Sequence, residues 1–269
     1  MIAFSTLAFP TASLAAAVSL GRRWGYVGIE LRLIDGQLID PSMSAADRAR
    51  VKRTLAGLPI VAVDTSIRLT SGDPGQQLRR FLELASDWEA PLVRVFGGAL
   101  AAEGLDPKAR REQLGAAAAV LESNVPLASR LGAAIGVETH DDFSASAAVA
   151  ELLTMADPEW VGAVWDSLHP HRMGDRPADV YANLGERILL AQVKDARRVP
   201  GSEGDDWQLV LLGEGEVPVR QMLGLLRAGG YGRWISVEWE KRWHPEIEEP
   251  EVALPQHLRL LDEWMEIKR

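Results

Sequence analysis

Eight short apolar runs recur along the chain: 2–5, 27–31, 60–64, 92–96, 135–139, 162–166, 188–193 and 234–238. Their centres lie about 33 residues apart, roughly the length of one strand, one helix and their loops. None of the runs alternates cleanly between apolar and polar residues, which is how strands buried on both faces read. The segments between them carry helix signals. Ser44 with Asp47 forms a capping-box signature ahead of DRARVKRTLAG. Asp73-Pro74 and Asp106-Pro107 each place a capping acceptor and a first-turn proline before a helical stretch. The opening helix is expected from about Thr11 to Trp24, and the long helix after Pro107 is expected to break near Pro126. The last helices are expected at Pro177-Ala178, Glu216–Arg227 and Val252–Lys268.

Strand–helix alternation at this spacing implies right-handed crossovers and a parallel sheet. Eight such units within 269 residues imply a single (β/α)8 TIM barrel, read as one domain over 1–269 because no composition shift marks a linker. A doubly wound open sheet would want a glycine-rich phosphate loop after its first strand. The LAFPTAS that follows the first run has none.

Composition narrows the function classes. With 29 Lys+Arg against 38 Asp+Glu the net charge is −9, which argues against a nucleic-acid partner, because that surface must replace phosphate counterions with basic side chains. There is no cysteine, so disulfides, thiolate nucleophiles and cysteine metal sites are excluded; a reducing, cytoplasmic location is the expectation. Residues 1–20 are Ala-rich but have no Lys or Arg before Arg22, unlike a secretory signal, and no run of 18 apolar residues predicts a membrane span. Nothing in the sequence excludes a homo-oligomer.

In a TIM barrel the chemistry sits at the C-terminal ends of the strands. Reading those ends in order gives Glu30 and Arg32, then Arg94, Glu138 and His140, Asp166 with His169 and His171, Gln192 with Lys194 and Asp195, and Glu238 with Glu240, Lys241 and His244. Carboxylates converging from neighbouring strands repel one another unless a cation or a proton neutralises them. A mostly oxygen donor set suits a hard divalent ion such as Mn²⁺ or Mg²⁺.

Five motifs sharpen the reading: E-x-H at Glu138-Thr139-His140, W-D-x-x-H from Trp165 to His169, x-V-K-D from Gln192 to Asp195, L-G-E-G-E from Leu212 to Glu216, and S-V-E-W-E from Ser236 to Glu240. With them the chain resembles the sugar phosphate isomerase/epimerase family of the xylose isomerase-like TIM barrel superfamily. The resemblance implies one divalent ion held by Glu138, Asp166, Gln192 and Glu238. The family pattern has His where this chain has Gln192, a neutral and weaker oxygen donor. It further implies a sugar or related polyhydroxy carbonyl substrate, isomerised or epimerised by proton transfer through a metal-stabilised enediolate. Glu138 and Glu238 would work on opposite faces of the substrate, His169 would polarise a substrate oxygen and Lys194 would assist. Glu30, Arg94, His169 and Trp239 are the expected substrate contacts.

Other readings stand beside these. In dehydratases of the 3-dehydroshikimate or inosose type, the counterparts of His140, His169 and Lys194 surround a leaving hydroxyl, which makes a metal-dependent lyase the nearest alternative. A catalytically silent sugar-binding subunit is the second, with the metal lost through Gln192. An apurinic-site endonuclease of the same superfamily would want more histidines and a basic surface. Residue by residue, Glu30 and Arg94 could serve charge packing inside the barrel, Lys194 could pair with Asp195 or Glu214, and Gln192 could be a hydrogen-bond donor beside the ion. Trp165 and Trp239 flank ligand positions and are expected to line the mouth, whereas Trp24, Trp88 and Trp264 are expected to pack helices on the barrel. Gly213 and Gly215 are read as a turn.

Overall fold

The strands form where the apolar runs predict them. In the computed structural model, which describes residues 1–102, 104–199 and 206–266, eight parallel strands close into one barrel: β1 (Ile2–Ser5), β2 (Gly28–Leu31), β3 (Ile60–Arg68), β4 (Leu92–Phe96), β5 (Ala134–Glu138), β6 (Val161–Asp166), β7 (Ile188–Val193) and β8 (Trp234–Val237). Each pairs with its sequence neighbour, and β1 closes on β8 with Ile2 opposite Ile235. Every residue of β1, β4 and β6 is buried, which accounts for the missing alternation of hydropathy. The fold is a (β/α)8 TIM barrel.

Helices α1 (Leu14–Trp24), α2 (Ala45–Leu55), α3 (Pro74–Asp87), α4 (Pro107–Leu131), α5 (Ser146–Leu153), α6 (Leu168–Arg172), α7 (Pro177–Leu184), α8 (Val219–Ala228) and α9 (Pro250–Trp264) form the outer layer. Their starts follow the caps. Ser44 Oγ accepts the Asp47 amide, and Asp73 and Asp106 accept the amides of Gln76 and Ala109. The first helix begins at Leu14 rather than Thr11, because Ser13 is its cap. The last starts at Pro250; the final two residues expected in it, 267 and 268, lie outside the described residues.

Pro126 does not break α4. The helix runs through it to Leu131. An interior proline costs about 3 kcal/mol, and here burial of Leu114, Ala117, Leu121, Leu127 and Ala128 against the barrel outweighs that cost.

Two small hairpins sit on the barrel mouth: Leu33–Ile34 pairs antiparallel with Gln37–Leu38, and Asp195–Arg198 with Trp207–Val210. The second is anchored by Asp195. Its buried carboxylate accepts the amides of Ala196 (2.9 Å), Gly213 (2.8 Å), Gly215 (3.0 Å) and Val217 (3.1 Å). Gly215 is required there, since a Cβ would stand 2.1 Å from Asp195 Oδ1, and Gly213 takes φ +85°. The L-G-E-G-E motif is therefore the turn expected, with a carboxylate as its core. Asp195→Ala strands four backbone donors and is expected to destabilise the protein by about 3 kcal/mol. A melting temperature equal to wild type would contradict this role.

Candidate active site

Period-two geometry builds the site. Glu138 and Asp166 are the last residues of β5 and β6, and Lys194 and Glu238 directly follow β7 and β8. Glu30 and Arg32, Gln192 and Lys194, and Ser236 and Glu238 are each two residues apart, so each pair shares one face of its strand. Contacts between strands show that this face is the barrel interior. Gln192 Nε2 donates to Glu30 Oε1 (2.8 Å) and Glu238 Oε1 (3.3 Å), and Ser236 Oγ donates to Glu30 Oε2 (2.5 Å). At the opposite end a small apolar cluster of Ala3, Val61, Ala62, Leu92, Val164 and Leu190 is packed by Trp234.

The mouth end is charged. Arg94 lies between Glu138, with Nε 2.9 Å from Oε2, and Asp64, with Nη2 3.5 Å from Oδ2; its Nη1 donates to the Thr65 carbonyl. Its guanidinium stacks 4.2 Å from the Phe96 ring centroid. Lys194 Nζ reaches Asp166 Oδ2 (3.0 Å), Glu238 Oε2 (2.5 Å) and Glu240 Oε1. Asp166 Oδ1 accepts the amides of Leu168 and His169 at the start of α6. Phe96, His140 and His169 pack in series, the first pair tilted and the second edge to face, with centroids 4.3 and 4.6 Å apart.

The buried carboxylates Glu30, Asp64, Glu138, Asp166 and Glu238 outnumber the buried cations Arg32, Arg94 and Lys194. The imbalance sets the protonation states. Burial, with Asp64 and Glu238 adding to it, pushes Glu30 well above the carboxylate range. Burial likewise raises Glu138 well above its ordinary value despite Arg94, and Glu238 to about 7 despite Lys194. Burial also opposes ionisation of Asp166, but Lys194, His169 and a backbone amide hold it below its usual value. Burial alone would lower Lys194; Asp166, Glu238 and Glu240 instead raise it well above the lysine range. Burial lowers His169 to about 3 and His140 to about 4, so both rings are neutral at pH 7.

His257 is a third neutral histidine, far from this cluster in sequence. It is buried under Trp239 with Nδ1 2.7 Å from the Ala253 carbonyl, and burial lowers it to about 4. A histidine held neutral binds fewer protons folded than unfolded, so its contribution falls as pH drops from about 6.5 towards 4. For His257 the loss is about 3 kcal/mol. Glu238 acts in the opposite sense between pH 4.5 and 7. Comparing melts of wild type and His257→Leu from pH 7.5 to 4.5 isolates the histidine: the variant is expected to lose less stability on acidification. Parallel curves would refute it.

The donor set fits a divalent ion. One oxygen each from Glu138, Asp166 and Glu238 lie within 4.8 Å of one another. Glu138 Oε2 and Asp166 Oδ2 are buried and face cations without making a hydrogen bond, and Gln192 Oε1 is buried without a partner. Both ring nitrogens of His169 also lack hydrogen bonds, and Nε2 stands 4.0 Å from Glu138 and 3.9 Å from Asp166. Glu138, His140 and His169 form a second, overlapping group of donors.

The model of a family described as xylose isomerase-like TIM barrel matches residues 18–264, nearly the whole chain. The chain belongs to the xylose isomerase-like TIM barrel family. No curated protein matches it in sequence. Solved structures share the family's barrel: the IolI protein with a bound zinc atom (17% identity, 98% of this chain and 97% of that one, TM-score 0.78), L-ribulose 3-epimerase (16%, 98% and 94%, 0.77), and the probable 3-DHS dehydratase AsbF from Bacillus anthracis (17%, 97% and 98%, 0.74). At these identities the likeness shows the fold.

Within this family barrel, the structure brings together Glu138, Asp166, Gln192, Glu238, His140, His169, Lys194, Glu30 and Arg94. Glu30 and Arg94 are fully engaged inside the barrel by Gln192, Ser236, Glu138 and Asp64. Lys194 pairs with Asp166, Glu238 and Glu240 rather than with Asp195 or Glu214. Trp239 does not line the mouth. It is fully buried against His257 of α9, its indole N–H donating to the Glu248 carbonyl. Trp165 is likewise buried. Asp64, Arg32 and Glu240 belong to the charged cluster although the strand-end reading gave them no role. Arg32 donates to Ser66 and faces the Asp64 carbonyl.

Proposed function

We propose that this chain is a divalent-metal-dependent isomerase or epimerase of a sugar or related polyhydroxy carbonyl compound. The observation that carries the reading is the convergence of one oxygen each from Glu138, Asp166 and Glu238 at the C-terminal ends of β5, β6 and β8, where Glu138 Oε2 and Asp166 Oδ2 face cations without making a hydrogen bond. These three would hold the ion, with Gln192 contributing Oε1 or orienting Glu238 through its amide. When bound, the ion would supply charge stabilisation for the oxyanion that develops when a proton leaves the carbon beside a carbonyl. The likeness to the IolI protein with its bound zinc atom and to L-ribulose 3-epimerase supports the same class.

The chain's own groups have defined tasks in this reading. Glu138 and Glu238 come from strands separated by two others around the barrel, so they can take and return a proton on different sides of a bound carbonyl compound. Burial raises the proton affinity of both while the site holds no ion, and a bound ion would bring it down again. Neutral His169 offers an unpaired N–H to a substrate oxygen, and neutral His140 packs edge to face against it. The lyase reading draws on this His140–His169 pair, which could assist a departing hydroxyl, and on the likeness to the probable dehydratase.

A panel of ketoses, inososes and 3-dehydroshikimate, incubated with Mn²⁺ and with chelator, tests the proposal. The expected product has the mass of its substrate and requires metal. A conjugated, water-lost product dependent on His140 would replace the isomerase with the lyase. Metal-dependent binding of a sugar without turnover across the panel would favour a binding subunit.

A further inference from the structure

We propose that Lys194 is an internal cation that competes with the divalent ion for Asp166 and Glu238, and that Glu240 is the second seat its ammonium keeps when the ion binds. This rests on the metal reading above and concerns how the site is held without the ion.

The carboxylate oxygens at the site are already allocated. Asp166 Oδ1 is committed to the amides of Leu168 (2.8 Å) and His169 (2.9 Å), which leaves Oδ2 for a cation. Glu238 Oε1 accepts Gln192 Nε2 at 3.3 Å, which leaves Oε2. Those two remaining oxygens are the ones Lys194 Nζ faces, at 3.0 and 2.5 Å. An ammonium and a divalent ion cannot share the same pair of oxygens inside a buried site, where like charges are poorly screened.

The lysine is built to move at its tip alone. Its main chain is pinned, because the Lys194 amide donates to Ser167 Oγ (3.0 Å) and its carbonyl accepts from the same hydroxyl (2.8 Å). Its four-carbon stem keeps rotamer freedom that the backbone lacks. Glu240 already holds Nζ through Oε1, lies outside the Glu138–Asp166–Glu238 triad, and is steadied at Oε2 by His244 Nε2 at 3.6 Å. Losing the contacts to Asp166 and Glu238 therefore does not leave the ammonium unpaired. Without the ion, the same lysine neutralises two carboxylates that would otherwise repel each other.

Calorimetric titration of metal-stripped protein with Mn²⁺ alone tests this. Lys194→Met is expected to bind Mn²⁺ at least about ten-fold tighter than wild type while melting lower in chelator, because the competitor is gone but so is the internal counterion. Glu240→Gln is expected to bind at least about ten-fold weaker, because the displaced ammonium has lost its seat. In the double variant the Glu240 change should cost less than about three-fold, since no lysine remains to be seated. If Lys194→Met does not fold without metal, the Glu240→Gln titration decides alone, and unchanged affinity overturns the proposal. Equal or weaker binding by a folded Lys194→Met, with wild type binding normally, overturns the competition and leaves the metal reading intact. No Mn²⁺ binding by any variant removes the metal reading and this inference with it.

Discussion

Replacing Glu238 by Gln is expected to lower turnover on the accepted carbonyl substrate by about a thousand-fold, the scale of a lost general base. The same change should weaken metal binding, because Glu238 offers one of the three converging oxygens. Gln keeps the shape of the side chain and the acceptor for Gln192 Nε2, so the fold should survive. It removes the charge opposite Lys194 and the proton-accepting oxygen together. Metal should raise the melting temperature of wild type, since it binds only the folded chain, and should raise that of Glu238→Gln far less. Equal metal responses in the two proteins, with turnover within a few-fold, would count against Glu238 as both ligand and base.

The second large effect is on stability. Arg94→Met is expected to cost about 3–5 kcal/mol, because it leaves Glu138 and Asp64 buried without their cation. The melting temperature should fall by roughly 10 °C in a protein of this size. The guanidinium is enclosed by Glu138, Asp64, the Thr65 carbonyl and Phe96, and side-chain exposure is 2%. This distinguishes the role from that of a substrate anchor, which would raise KM and leave the melting temperature unchanged. Added metal should recover part of the loss, since an ion on Glu138 replaces some of the missing positive charge.

The barrel was legible because strand burial on both faces leaves a distinctive apolar run, and the observed strands start or end within a few residues of the runs that announce them. The two hairpins were not legible, because runs of two to four residues carry too little pattern to separate from loop. The convergence of Glu138, Asp166 and Glu238 was readable, since each stands at a strand end beside recognisable motif residues. Trp239 was misplaced for a reason the same sequence contains: a residue next to an inward ligand points outward, here into the helix layer against His257. That rule also buries Trp165 beside Asp166.

Asp64 could have been found by the same strand-end reading, as the acidic residue that closes the apolar run 60–64. Glu240 was visible as a carboxylate but not as a partner of Lys194, because that contact joins residues 46 apart across the mouth. Pro126 shows the reverse limit: local chemistry argues for a break, and packing of the helix face overrides it. The consequence of Gln192 was open in the sequence. Its amide nitrogen turns to Glu30 and Glu238, while Oε1 stays without a partner.

The proposed chemistry is metal-dependent removal and return of a proton at the carbon beside a carbonyl. Incubation of the Mn²⁺-loaded protein with the panel substrates in D₂O, read by mass spectrometry, tests it most directly. One deuterium is expected to enter recovered substrate or its isomer at that carbon, abolished by chelator and by Glu238→Gln. Loss of water to give a conjugated product, or the absence of any deuterium uptake across the panel by protein shown to hold metal, would contradict it.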